Sequence, residues 1–247
     1  MELGTMTREQ VASLPPDTLA IVPVGSMEQH GYHLPTSTDT LLARTFADQL
    51  TLEVHEYSSL VLPPIPFGYS PHHFPYAGTV SVGSSILREM LVDIGRSISV
   101  WGLRRLLFIN GHGGNEDIVR LAAREIAYHH HVIAGAVSYW VPGLAEMRQD
   151  ANDVDRHYPM PGHAGRFETA LMLHFYHSLV NLQYIPEGLV KETHRENPYW
   201  FHPDGFARFG GFSDDPRGAS AVEGSTMADV IVRNLIPIAH ALYGNPK

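Results

Sequence analysis

A chain of 247 residues that is 44% hydrophobic, 10% aromatic and 17% charged can bury one large core or two small ones, and its sparse charge implies an extensive interior or subunit interface. A net charge of −9 with His neutral and a pI near 5.9 argue against non-specific nucleic-acid binding. Cys is absent, which excludes disulfides and thiol chemistry, so any metal must take oxygen and nitrogen ligands.

The opening residues, MELGTMTREQV, lack the basic-then-apolar order of a secretory signal. No window approaches the ~18 apolar residues of a membrane span. A cytoplasmic protein with no membrane partner is expected. Residues 19–24, LAIVPV, are apolar on both faces and read as a central parallel strand ending in Gly25-Ser26. A helix follows over 38–52, with Thr38 or Asp39 at its N-terminus. A short strand near 59–62 leads into a Pro- and Gly-rich loop at 63–78, and 79–82 reads as a further brief strand. Residues 84–102 form an amphipathic helix closed by Gly102. LRRLLFIN, 103–110, is a buried strand running directly into Gly-His-Gly-Gly-Asn. A helix at 116–130 and a strand at 132–138 complete this alternation. Residues 139–162 read as a loop or short helix over the cleft, 165–180 as a helix carrying Glu168 in its first turn, and 223–243 as the last helix.

Apolar strands alternating with helices mark a mostly parallel sheet covered on both faces, an α/β fold. The chain reads as one domain over 1–247, with an irregular aromatic and Gly-rich segment at 186–219. Ligands in such sheets bind beyond the carboxyl ends of the strands. The segments EQHGYHLPTSTD (28–39) and NGHGGN (110–115) both begin at such an end.

The first of these segments holds Glu28, His30, His33 and Asp39 within twelve positions. Glu28 and His30 are two apart, so extended backbone points them to one side. Asp39 can return to the same point as its loop closes, and its two oxygens suit it to bridge two cations. His112, flanked by glycines, permits close backbone approach. Glu168 is acidic in an otherwise apolar helix and would be costly there unless paired or metal-bound. His163 lies just upstream as a candidate proton shuttle. Taken singly, Asp39 would be a helix cap and Glu28 a solvated loop residue. Acidic and imidazole groups gathered at strand ends instead indicate a divalent metal pair. Of the 16 His, His129, His130 and His131 read as a solvated helix end. His174, His177, His194, His202 and His240 carry no ligand signal.

Four motifs in order, GSMEQHGYHLPTSTD (25–39), SPHHFPYAGTVSV (70–82), NGHGGN (110–115) and GHAGRFET (162–169), resemble the creatininase family of metal-dependent amidohydrolases through about residue 175. The resemblance implies a three-layer α/β/α sandwich with a mostly parallel central sheet. It implies a centre of two divalent ions (Zn, Mn or Fe) that hydrolyses C–N bonds other than ordinary peptide bonds in a small molecule. It also implies a homo-oligomer, often a hexamer. Family members include creatinine amidohydrolases, pyrimidine-derived formamide deformylases and a peptidase that trims a peptide-derived redox cofactor. Carried over, Glu28, His30, Asp39, His112 and Glu168 are the expected metal ligands, with Asp39 bridging. His163 is the expected catalytic His, acting with His112 and Glu28. Expected substrate contacts are His73, Tyr76, Gly113, Gly114, Asn115 and Trp140. Tyr69, Trp200 and Phe201 are further candidates for the pocket wall, and these aromatics, with Tyr76 and Trp140, equally suit a subunit interface.

The sequence departs from the family at three places. Tyr32 replaces a common Pro, and His72 stands where the family has an acidic residue. Gly114 stands where creatinine-hydrolysing members carry a metal-binding Glu, which counts against creatinine as substrate. The expected chemistry is attack of a metal-activated water on an amide or cyclic amide carbonyl, with His163 protonating the departing nitrogen. The NGHGGN backbone would stabilise the oxyanion. The alternatives are a lactone, or a carbohydrate-ring ketone or ester, on the same centre. Further off are a non-catalytic ligand-binding protein with a structural ion and a purely structural assembly protein.

Overall fold

A computed structural model describes residues 1–150, 161–187, 204 and 210–244. Four parallel strands, Leu19–Val24 (β1), Ser59–Val61 (β2), Arg105–Asn110 (β3) and Ile133–Ser138 (β4), lie in the order β2-β1-β3-β4. β1 pairs with β3 along its whole length, from Leu19 opposite Arg105 to Val24 opposite Asn110. The helices are Arg8–Ala12 (α1), Thr38–Glu53 (α2), Ser84–Val100 (α3), Glu116–His130 (α4), Leu144–Asp150 (α5), Arg166–Tyr176 (α6) and Ala221–Tyr243 (α7).

The period-2 alternation of strand side chains divides the apolar residues between two layers. Leu19, Ile21, Leu107 and Ile109 pack with Leu42, Phe46 and Leu50 of α2 and with the inner faces of α6 and α7. Ala20, Val22, Leu106 and Phe108 face the other way, onto Leu87, Leu91 and Ile98 of α3 and Val119 and Ile126 of α4. Each fully buried aliphatic or aromatic side chain contributes roughly 1.5–3 kcal/mol relative to exposure. This double burial explains why β1 and β3 read as unbroken apolar runs. The result is the expected three-layer α/β/α sandwich.

The strand order places a reversal between β1 and β3. From β1 the chain crosses through α2 to β2 on one side, then through α3 to β3 on the other. A crevice opens at such a reversal, beyond the carboxyl ends of the two strands. Residues 25–39 leave β1 at that edge and residues 111–115 leave β3 beside them.

Several expected boundaries shift. β3 begins two residues and β4 one residue later than read from the sequence, and the helix expected over 165–180 stops at Tyr176, followed by a 3-10 turn at His177–Leu179. The strand expected at 79–82 is only an isolated bridge of Val80 to Met27. Val80 N–H donates to Met27 O while Val82 N–H donates to Gly68 O. Neighbouring bonds to two different segments cannot build a ladder. Part of the 139–162 and 186–219 segments, with Trp200, Phe201, His194 and His202, lies outside the described residues.

Gly111 is where β3 meets the N-terminus of α2. A Cβ there would sit 2.3 Å from the Asp39 carbonyl oxygen, so backbone would have to move. Gly111→Ala is expected to cost about 1–3 kcal/mol, the range for overpacking, and to lower the denaturant midpoint. An unchanged midpoint would show that the two segments do not touch as described.

Candidate metal centre

Three buried carboxylates, Glu28, Asp39 and Glu168, meet at this edge with His30 and His112. Glu28 is positioned by the loop after β1, its N–H donating to Thr36 O at 3.0 Å. Asp39 occupies the first turn of α2 and Glu168 that of α6, where helix N–H groups favour a negative charge. Glu168 Oε2 accepts the Ala164 N–H at 2.6 Å, bending the chain back over the helix start. The side chain of Asn110, at the end of β3, donates to His112 O at 2.7 Å and accepts the His112 N–H at 3.2 Å, and this sets the turn that presents the imidazole.

The potential ligand atoms fall into overlapping groups lying within 4.8 Å of one another. Glu28, Asp39 and His112 form one, and His30, Asp39 and Glu168 another, so Asp39 is common to both. Glu28, His30 and His163 form a third. Glu28 Oε1 and Asp39 Oδ2 are buried oxygens that accept no hydrogen bond among the described residues. Asp39 Oδ2 instead faces His112 Nδ1 at 3.1 Å. Buried carboxylate oxygens without a donor, grouped with imidazole nitrogens, fit a hard-to-borderline divalent cation.

The imidazoles are oriented for that task. His30 Nδ1 lies 3.1 Å from Glu28 O, a backbone carbonyl that can only accept, so Nδ1 carries the hydrogen. Nε2 then turns its lone pair to Asp39 Oδ1 at 3.0 Å and Glu168 Oε2 at 3.8 Å. His112 repeats the pattern, with Nε2 3.2 Å from Tyr69 O and Nδ1 3.1 Å from Glu28 Oε2. A ring N–H tied to a carbonyl, with the other nitrogen aimed at carboxylates, is the usual arrangement of metal-ligating His.

Without a metal, protons must balance these charges. Burial would lower the pKa of His30, but Asp39, with Glu168 and Glu28, overrides it and raises the group to about 10. His112 is likewise depressed by burial and then carried well above its ordinary value by Glu28 and Asp39. Glu28 would be raised by burial, yet His112 and His73 hold it well below the usual carboxylate range. Burial pushes Glu168 up to about 8 against the pull of His30. His163 is driven the other way, well below an ordinary His, by burial and then by His30 and His73. Its neutral form is therefore favoured.

The remaining expected residues are dispersed around this core. His73 Nε2 lies 3.2 Å from Glu28 Oε1. Half-buried Tyr76 follows on the same loop, its N–H donating to His73 O at 3.0 Å. Asn115 is fully buried, its amide accepting the Tyr69 N–H at 2.9 Å and donating to Gly25 O at 3.0 Å. It ties together the loops that wall the site. Gly113 is exposed. A Cβ on Gly114 would meet Tyr69 O at 2.3 Å and His112 Nε2 at 2.5 Å, so the turn as built has no room for a side chain there. Trp140 packs edge-on to Tyr139 against the core. His72 stacks on the His112 ring at 5.5 Å. His33, grouped with the acidic residues in the sequence, pairs instead with Thr169 Oγ1 at 2.7 Å and belongs to none of the ligand groups.

Two supporting side chains were missed from sequence. Ser70 Oγ donates to Glu28 Oε2 at 2.5 Å and lies 2.5 Å from Ser26 Oγ. Gln29 contacts both His73 and His163. A lone Ser in a loop and a Gln between two ligands carry no pattern of their own.

Helices on both faces of a parallel sheet, with an acid–imidazole centre at the reversal of strand order, define an α/β protein built around side chains that could hold a metal ion. The chain belongs to the creatininase family: residues 4–238 match it, under the description creatinine amidohydrolase. The "Mycofactocin precursor peptide peptidase" of Mycolicibacterium smegmatis is 38% identical over 70% of this chain, and the match spans 63% of that relative's length. The "Creatinine amidohydrolase" of Pseudomonas putida is 32% identical over 67% of each chain. The "3-dehydro-scyllo-inosose hydrolase" of Thermotoga maritima is 30% identical over 77% of this chain and 62% of its own. A crystal structure of creatinine amidohydrolase superposes with a TM-score of 0.82 at 27% identity, covering 99% of this chain and 98% of the other. A mutant creatininase of Zn–Zn type gives a TM-score of 0.81 at 26% identity over 99% and 98% of the two chains.

Ser70→Ala removes the hydroxyl that holds Glu28. It is expected to weaken divalent-ion affinity by about 10–100-fold, the usual effect of losing an outer-shell partner, in a competitive chelator titration. Unaltered affinity would strip Ser70 of that role.

Proposed function

We propose that this protein is a metal-dependent hydrolase that cleaves the C–N bond of an amide or cyclic amide in a small molecule. The observation that carries the reading is Asp39, buried and common to two groups of potential ligands, with an oxygen that accepts no hydrogen bond among the described residues. Glu28 and His112 would hold one ion, His30 and Glu168 the other, and Asp39 both. Zn, Mn or Fe bound there supplies Lewis acidity and activates water for attack on a carbonyl carbon.

The chain's own side chains would do the rest. His163, held neutral by its burial, takes a proton and returns it to the departing nitrogen, since an amide anion is a poor leaving group. Its Nδ1 lies 3.4 Å from Glu28 Oε1, close enough to act at the reacting centre. His73, Tyr76 and the 113–115 turn would orient the substrate, with Trp140 at the margin. A homo-oligomer, in the cytoplasm, is the proposed working form.

One finding favours a second substrate class. Identity to the precursor peptide peptidase reaches 38%, against 32% to the creatinine amidohydrolase, and Gly114 has no room for a further acidic ligand. A peptide-type amide in a short peptide is therefore the competing reading. A carbohydrate-ring substrate, suggested by the Thermotoga relative, would use the same ligands without needing a protonated nitrogen leaving group.

Freshly purified protein is expected to carry about two divalent transition-metal ions per chain, as a two-metal site requires, by elemental analysis against subunit concentration. Asp39→Ala should lose most of both. An ion-free wild type, even after reconstitution, would sink the enzymatic reading. His163→Ala should keep its ions and lose about 10²–10⁴-fold in turnover, the range for a general acid–base group, on whichever of a cyclic-amide, dipeptide-amide and lactone panel the wild type accepts. Loss of an ion in that variant would make His163 a ligand through the Glu28–His30–His163 group instead.

A further inference from the structure

Gln29 lies between two expected ligands and is itself buried, with 6% exposure. Its amide orientation follows from its neighbours. Gly31 N–H, a donor only, lies 2.9 Å from Oε1, so the other end is the NH₂ group. That nitrogen has two hydrogens and faces His73 Nδ1 at 2.9 Å, His163 Nε2 at 2.8 Å and Gly211 O at 3.1 Å. Gly211 O can only accept, and takes one hydrogen. The other must go to one of the two imidazoles.

His163 decides which. Its Nε2 also lies 2.7 Å from Gln29 O, its neighbour's own backbone carbonyl. If Nε2 carries the hydrogen, it donates to that carbonyl, and Gln29 gives its second hydrogen to His73 Nδ1. His73 is then the Nε2–H form, with that nitrogen 3.2 Å from Glu28 Oε1. One contact is left without a hydrogen, the approach of Gln29 Nε2 to His163 Nε2. The opposite assignment fails twice. A bare His163 Nε2 would press its lone pair against Gln29 O at 2.7 Å, and His73 Nδ1 would receive no hydrogen from Gln29.

We propose that Gln29 is a positioning residue that sets the tautomers of His163 and His73 together and docks the 211–213 segment, leaving Nδ1 as the nitrogen of His163 that handles protons at the centre. His163 Nδ1 is the atom that lies 3.4 Å from Glu28 Oε1, whereas Nε2 faces away into the Gln29 network. The segment it docks closes the circuit. Ser213 N–H donates to His163 O at 2.9 Å, and His163 N–H donates to Ser213 Oγ at 2.7 Å. The Gln29 backbone carbonyl thus holds the imidazole through its ring, and the segment tied to the Gln29 side chain holds His163 through its backbone. Neither the side-chain amide of Gln29, which orients His73, nor its backbone carbonyl, which orients His163, carries a charge, so the two rings are set without adding to the charge balance of the centre. This assignment deepens the proposed function and rests on it for the role of His163, but not for the hydrogen positions.

The test is nitrogen NMR of metal-free protein labelled with ¹⁵N-histidine, with the His163 and His73 signals assigned by His163→Gln and His73→Gln. Wild type should show both rings as Nε2–H with Nδ1 bare. A His163 ring protonated at Nδ1 alone would overturn the proposal without any variant. Gln29→Glu replaces the donor by an acceptor and should move the His73 hydrogen to Nδ1, whereas Gln29→Met, of similar size, should release the preference of His73 while His163 stays Nε2–H on the unchanged backbone carbonyl. Unchanged spectra in both folded variants would also overturn it. With a substrate in hand, Gln29→Met should lower kcat by about 10–100-fold, as loss of an outer-shell partner does, with KM little altered. A fall confined to KM would contradict a role in holding His163. If the tautomers are as assigned but no substrate is ever turned over, the hydrolase reading fails and the assignment of Gln29 stands.

Discussion

Everything at this site answers to one constraint, the mutual repulsion of Glu28, Asp39 and Glu168 in a buried space. Two unit charges about 4 Å apart interact by roughly 4 kcal/mol at an effective dielectric constant near 20, and each also loses hydration. A fold of ordinary stability, roughly 5–15 kcal/mol in total, cannot carry three such groups uncompensated. Imidazolium protons on His30 and His112, together with a proton retained on Glu168 up to about pH 8, are the compensation the chain can supply by itself, which is why all three groups are raised. Divalent cations supply it with more charge in less space. Only then can the ring nitrogens give lone pairs instead of protons, as their carbonyl-bonded N–H partners already prescribe.

The sheet topology is what brings the acids together. Glu28 follows β1, Asp39 opens α2, His112 follows β3, and Glu168 opens α6. Helix starts are favourable places for carboxylates because their N–H groups are unsatisfied. Reversing the direction of winding between β1 and β3 puts both loops in one crevice. Contacts as close as Gly111 against the Asp39 carbonyl then turn proximity into fixed position. Asn115, spanning from Gly25 to Tyr69, shows the same economy: one buried amide joins the loop after β1 to the loop bearing Ser70 and His73.

How much of this was legible follows from which signals are periodic. β1 and β3 were readable because burial on both faces leaves no polar residue in LAIVPV or LLFI. Asp39, His112 and Glu168 stood out because each is polar at a boundary of an apolar element. The strand at 79–82 was misread because Val80 and Val82 bond to different segments, and no local pattern distinguishes a bridge from a ladder. His33 sits among the expected ligands in the sequence without being one of them, and past the turn at Gly31 (φ 64°) it pairs with Thr169. Ser70 and Gln29 were invisible because their importance lies in what they bond across more than forty positions of sequence.

Gly114 shows how a missing side chain can be built into the backbone. The 3-10 turn Gly113–Asn115 and the Tyr69 carbonyl approach so closely that any Cβ at 114 would collide with backbone and with His112. The same Tyr69 carbonyl accepts the His112 N–H that leaves Nδ1 for the carboxylates. Absence of a side chain and orientation of the imidazole are therefore one feature. An acidic residue introduced at 114 would have to displace the acceptor that sets the His112 tautomer, so a ligand added at that position would disturb one already there. The departure from the creatinine-hydrolysing pattern is thus embedded in the geometry of the turn. Residues 69–76 and 113–115, with His72 and Tyr76 among them, are thereby locked together at one side of the acidic centre.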